Sequence, residues 1–149
     1  MGRIQSAHSD LIAIESLGAV GVAALARHAI EQDSGIELYW DLELLKLLHQ
    51  RAIPYLVNEL VDLVGIDRHG AQVHDLLSRL DRADIERLVP PAVRRRLDSA
   101  DSFDLLQLGA LLRRLRLPDA LNELVAFTAS SGDEEIRSIG PEWFPEAIT

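Results

Sequence analysis

The chain has no cysteine, which removes disulfides, zinc–thiolate centres and thiol nucleophiles and suits a reducing compartment. Aromatic residues are scarce, at 5%, while Leu and Ala dominate, a bias that favours helix over strand. No apolar–polar alternation runs long enough to predict a strand. The most apolar N-terminal run, LGAVGVAALA at 17–26, has ten residues between Glu15 and Arg27-His28, too few to span a bilayer. Asp10 and Glu15 interrupt the basic start and clean apolar stretch that a secretory signal needs, so a cytoplasmic location is expected. Also missing are HExxH, Glu-x-x-His, a phosphate-binding glycine loop and Gly-x-Ser-x-Gly.

What is present is a 149-residue chain, 48% apolar and 26% charged, long enough to bury a core as a single domain over 1–149. The net charge of −9 is unevenly spread. Residues 1–66 carry 4 basic and 9 acidic groups, 67–118 carry 10 and 8, and 119–149 carry 1 and 7. Such a surface repels phosphate backbones, so no nucleic-acid partner is expected. The runs RRR at 94–96 and RRLR at 113–116 read as solvated helix faces or as partners for nearby acids.

Helical spacing recurs along the chain and predicts an all-α array of about seven or eight helices in antiparallel hairpins. A short helix is expected at 9–16, with Leu11, Ile12 and Ile14, and another at 19–32. A helix over 35–51, opened by the capping-box spacing of Ser34 and Glu37, places Ile36, Trp40, Leu44, Leu47 and Leu48 on one stripe. Pro54 should open the next helix from its first turn. Pro90-Pro91 should end a helix and let another start. DSADS at 98–102 is a turn rich in capping residues. The tail at 141–149, with two prolines, is expected to be irregular.

PYLVNELV at 54–61 returns as PDALNELV at 118–125. Aligning 42–64 with 106–128 gives nine identities in 23 positions, Pro54/Pro118, Asn58/Asn122 and Glu59/Glu123 among them. Leu and Val recur cheaply on any helical face. The polar residues in register across two helices and their connection suggest a duplicated hairpin that must bury its apolar stripe against neighbours. AIPYLVNELVDLV and LPDALNELVAF…SSGDEEIR resemble HEAT-type hairpins, in which an Ile-Pro-x-Leu helix is followed by one opened by Asp-x-x-Val-Arg; Asp133, Ile136 and Arg137 match that second part. The resemblance covers about half the chain, and the 64-residue offset exceeds the usual unit. It implies a scaffold that binds other macromolecules and has no catalytic residues.

Five acids and no base lie between Glu31 and Glu43, and Asp133, Glu134, Glu135, Glu142 and Glu146 face a single Arg137. Tyr39-Trp40 and Trp143-Phe144 sit inside these strips. An aromatic anchor ringed by acids suits docking to a basic protein. The residues expected at such a surface are Glu37, Tyr39, Trp40, Asp41, Glu43, Glu134, Glu135, Trp143 and Phe144. Core packing is the plainer role for Trp40, and a folded-back tail for Trp143 and Phe144. The resulting expectation is a non-enzymatic, acidic interaction module, of which an immunity or antitoxin-type inhibitor is one form, with no cofactor and no resident metal. Two alternatives stand beside it. One is a metal-dependent phosphohydrolase-like site at His49, His74 and Asp75, helped by Asp98 or Asp104, since such chemistry needs imidazole and carboxylate ligands around a divalent ion. The other is an oligomeric helical adaptor.

Overall fold

A computed structural model describes residues 18–48, 50–65 and 69–147, with only the backbone at 48. The helix expected at 9–16, His49 and the last two residues of the tail lie outside the described residues. Within them the chain is all helical, with no strand, and no helix is long and apolar enough to cross a membrane.

The order is α1 Gly18–Gln32, α2 Gly35–Leu48, a 3₁₀ segment Gln50–Leu56 running into α3 Val57–Asp62, α4 Gly70–Leu77, α5 Arg82–Arg96, α6 Ser102–Arg114, α7 Pro118–Ala129, α8 Glu134–Arg137 and α9 Ile139–Trp143, with 3₁₀ turns at Leu97–Ser99 and Pro145–Ala147. Helix α1 lies against the 3₁₀ segment and α2; α3 packs on α5; α6 packs on α7. Helix α4 touches both α2 and α6 and joins the two ends of the array, and α8 and α9 close over α6 and α7. One contiguous apolar core runs through all of these, with Ile53, Leu56, Leu60, Val73, Leu77, Val89, Leu105 and Leu112 completely excluded from water.

Local signals set several boundaries. Asp101 caps α6: its side chain accepts from Asp104 N at 2.8 Å, and Asp104 Oδ2 accepts from Asp101 N at 3.3 Å, a complete capping box. At the other end of α6, Leu117 N donates to Leu112 O and Arg116 N to Arg113 O, the paired bonds of a Schellman stop. Arg116 takes the left-handed position there, with φ 56°, where glycine is the usual occupant. Pro118 then opens α7 at its first turn.

Three expectations need correction. Helix α5 runs unbroken through Pro90 and Pro91. Neither proline can donate to the carbonyls of Glu86 and Arg87, at a local cost of about 3 kcal/mol each. Ile85, Val89 and Val93 are buried on the α5 face with Ala92, and burying each branched side chain is worth roughly 1.5–3 kcal/mol, a sum comparable with the cost of the two prolines. Pro54 does not open a helix. It sits inside the 3₁₀ segment, because Ala52, Ile53 and Leu56 are buried and keep the chain wound on both sides of it. The stretch 141–147 is not irregular coil. Pro141 lies within α9, Pro145–Ala147 is a 3₁₀ turn, and Phe144 between them is buried.

The arginine runs act as staples. Arg95 reaches Asp62 at 2.6 Å and Arg94 reaches Glu123 at 2.9 Å; Arg96 lies 3.4 Å from Asp62 and 3.6 Å from Asp104. Arg82 donates to the carbonyls of Leu115 and Arg116, covering the acceptor end of α6. Four arginines of the basic middle, Arg82, Arg94, Arg95 and Arg96, thus link α3, α5, α6 and α7.

Candidate functional site

Helix α2 reads GIELYWDLELLKLL and is apolar nearly all the way round. Its sequence therefore does not say which side goes inward, since helical periodicity locates a core face only when the other face is polar. Leu38, Leu42 and Leu45 fill the core side. The stripe of Ile36, Trp40, Leu44 and Leu47 is the outward one, so core packing, the plainer role for Trp40, is not what it does: Ile36 is 68% exposed, Trp40 46% and Leu47 69%, with Leu44 half-buried beside them. Tyr39, 38% exposed, meets the Trp40 ring edge-on, with centroids 5.4 Å apart and planes at 88°. Edge-to-face packing holds the two rings as one raised aromatic feature.

The rim of this face is held from α4. Gln72, buried, donates from Nε2 to Tyr39 O at 3.1 Å and to Glu43 Oε1 at 2.9 Å, and its Oε1 lies 3.1 Å from Nδ1 of buried His69. Lys46 Nζ stands 3.1 Å from Glu43 Oε2 and 3.8 Å from Asp75. The Gln72 hydrogen bond, with Lys46 assisting, holds the Glu43 carboxyl below the usual carboxylate range, against the opposing effect of burial. Glu43 therefore stays ionised beside the exposed apolar stripe.

The structure divides the residues expected at a docking surface. Glu37, Tyr39, Trp40 and Glu43 share the outward side of α2, Glu37 and Glu43 being partly covered. Asp41 and Asp33 are each 7% exposed, so the acidic strip is thinner than its sequence suggests. Glu134, Glu135 and Trp143 are exposed at the other end of the array, where Glu135 Oε1 accepts from Ser102 Oγ at 2.9 Å. Phe144 is a correction: at 2% exposure it cannot serve as an anchor. Its ring fills the space left by Gly109, where a Cβ would collide with it, and Arg113 lies 4.8 Å above it. Arg113 also donates to Glu146 at 2.6 Å and to Trp143 O at 2.5 Å, so the tail is strapped to α6. The signal for this was the glycine in an otherwise Leu-rich helix, a vacancy that only a tertiary neighbour explains.

Of the metal alternative, His74 and Asp75 lie on α4, half-buried and exposed, while His49 is outside the described residues. Asp104 is committed to the capping box and to Arg96. Among the described residues no three His, Asp or Glu side chains converge on a metal-sized point. Comparison with known proteins found no matching family model, no matching curated protein and no matching solved structure.

Proposed function

We propose that this chain is a non-enzymatic interaction module that docks a basic protein partner on the outward face of α2. One observation carries the reading: α2 is apolar on two sides, and the side bearing Ile36, Tyr39, Trp40 and Leu47 has no cover among the described residues. A large apolar face on a soluble rod marks a place where something else binds. Aromatic residues are the side chains that concentrate binding energy at the centre of interfaces. The overall charge of −9, with Glu37 and Glu43 on this side of α2, favours a partner of opposite sign and speeds its approach. In this reading the array is a HEAT-like scaffold that keeps the face rigid, and an immunity or antitoxin-type inhibitor covering a basic working surface is its concrete form.

Immobilised wild-type chain and its Ile36→Glu variant, challenged with native lysate, test the reading. The expected result is a basic protein held by wild type, absent from the variant, and released as salt approaches about 1 M, where the screening length falls to about 3 Å. Capture unaffected by the substitution, or unaffected by salt, would discard it.

A further inference from the structure

We propose that the element received by α2 is itself an α-helix, amphipathic and basic, lying along Ile36, Trp40, Glu43 and Leu47. This rests on the docking reading above and adds the shape and sequence pattern of the partner. The four positions are separated by 4, 3 and 4 residues, the alternation that keeps one line of a helix facing a neighbouring helix. They span about 16 Å at about 1.5 Å per residue, three turns of a straight rod. Glu37 and Leu44 flank the line on one side, Tyr39 and Lys46 on the other. Such a ridge fits the groove between side chains of a second helix, and anchors at this spacing are how helices are recognised on protein surfaces.

The fourth position decides against a second copy of this chain. Glu43 sits on the line with its carboxylate fixed by Gln72 and Lys46. In an antiparallel pair of α2 helices centred between Asp41 and Leu42, Ile36 would meet Leu47, but Trp40 would cover Glu43 twice. A parallel pair would set Glu43 on Glu43. Either arrangement desolvates two ionised carboxylates between chains that each carry −9. A partner helix with Lys or Arg at that level meets the carboxylate with its opposite, and a polar group on such a line specifies partner and register.

The chain has two tryptophans, and Trp143 is exposed, so Trp143→Phe leaves Trp40 as the sole reporter on the proposed surface. In that background three end-blocked peptides of about three heptads serve as probes: Leu at a and d with Lys elsewhere, the same residues reordered so that the leucines no longer share one helical face, and the heptad pattern with Glu in place of Lys. The Leu–Lys heptad peptide should shift Trp40 emission to the blue and bind at least about tenfold tighter than either control. Ile36→Glu and Leu47→Glu, at exposed positions and checked for unchanged helicity, should each weaken it about tenfold. Equal binding of the reordered peptide overturns the helix and leaves the docking reading intact. Equal binding of the Leu–Glu peptide overturns the basic character. No shift of Trp40 with either lysine peptide discards the docking reading as well. A wild-type dimer in sedimentation that Ile36→Glu dissolves makes a second copy the occupant and overturns the proposal.

Discussion

The two halves of the repeated phrase behave differently. In the second rod most aligned core positions agree: Ile53 and Leu117, Val57 and Leu121, Leu60 and Leu124, Val61 and Val125, and Val64 and Thr128 are buried in both copies, Leu56 and Leu63 are buried where Ala120 and Phe127 are half-buried, and Asn58 and Asn122 are exposed in both. In the first rod the agreement fails. Leu47 is largely exposed where Leu111 is buried, and Leu44 is half-buried where Leu108 is buried. Among the described residues helix α6 packs against α4, α7, α8 and α9, whereas α2 packs mainly against α1, the 3₁₀ segment and α4. The same leucines in the same register are thus core in one place and surface in the other. What a helix buries is set by the neighbours packed on it, and the face of α2 left open among the described residues is the one assigned to a partner.

The comparison is easiest to break with paired truncations. Leu111→Ala should cost about 2–5 kcal/mol of unfolding free energy and Leu47→Ala within about 0.5 kcal/mol, while Leu60→Ala and Leu124→Ala should cost alike, about 2–5 kcal/mol each. Urea unfolding of the four variants checks this, and equal losses at 47 and 111 would erase the distinction. Next in size, Gly109→Ala should cost about 1–3 kcal/mol by pushing a methyl into the Phe144 ring, with Phe144→Leu recovering part of it in the double variant. No change in melting temperature for the single variant would mean that the strap does not lie on α6.

A smaller effect sharpens the contrast between the two connections. Arg116→Gly should raise stability by about 0.5–1 kcal/mol by relieving the left-handed backbone, whereas Ala52→Gly, its aligned counterpart in the 3₁₀ segment, should lower it by at least as much. Paired thermal melts decide. The smallest effect is on pH. The folded-state pKa of Glu43 is depressed, so its contribution is present above the unfolded value and is lost as pH falls through the folded value, below 4.5. The aligned residue is Gln107, which does not titrate. The protection of α2 and α4 amides, taken relative to the intrinsic exchange rate at each pH, should fall as pH drops below 4.5 in wild type and less so in Glu43→Gln, with α6 and α7 unaffected by that substitution.

Much of the local structure was legible. The capping turn at 98–102 and the end of α1 follow from cap and turn chemistry acting over three or four residues. The candidate site was half legible. Tyr39 and Trp40 stand out as aromatics among acids, but a helix apolar nearly all the way round does not say that the stripe through Trp40 is its outward side. Asp41 and Phe144 were misplaced because burial depends on residues far away in sequence: Phe144 on Gly109, and the orientation of α2 on α1 and α4. The unbroken α5 was missed for the same reason, since Pro90-Pro91 is a local stop that only the contact with α3 overrides.

By itself the sequence determined that the chain is helical, where most of its rods begin and end, and which side of the second rod in each hairpin turns inward, because capping, turn chemistry and a one-sided apolar stripe are short-range properties. The tertiary structure alone decided which face of α2 is left to solvent, that α5 continues through two prolines, and that the tail closes on Gly109. In each of these the local preference is either evenly balanced or unfavourable by a few kcal/mol, and the burial of distant side chains supplies the difference.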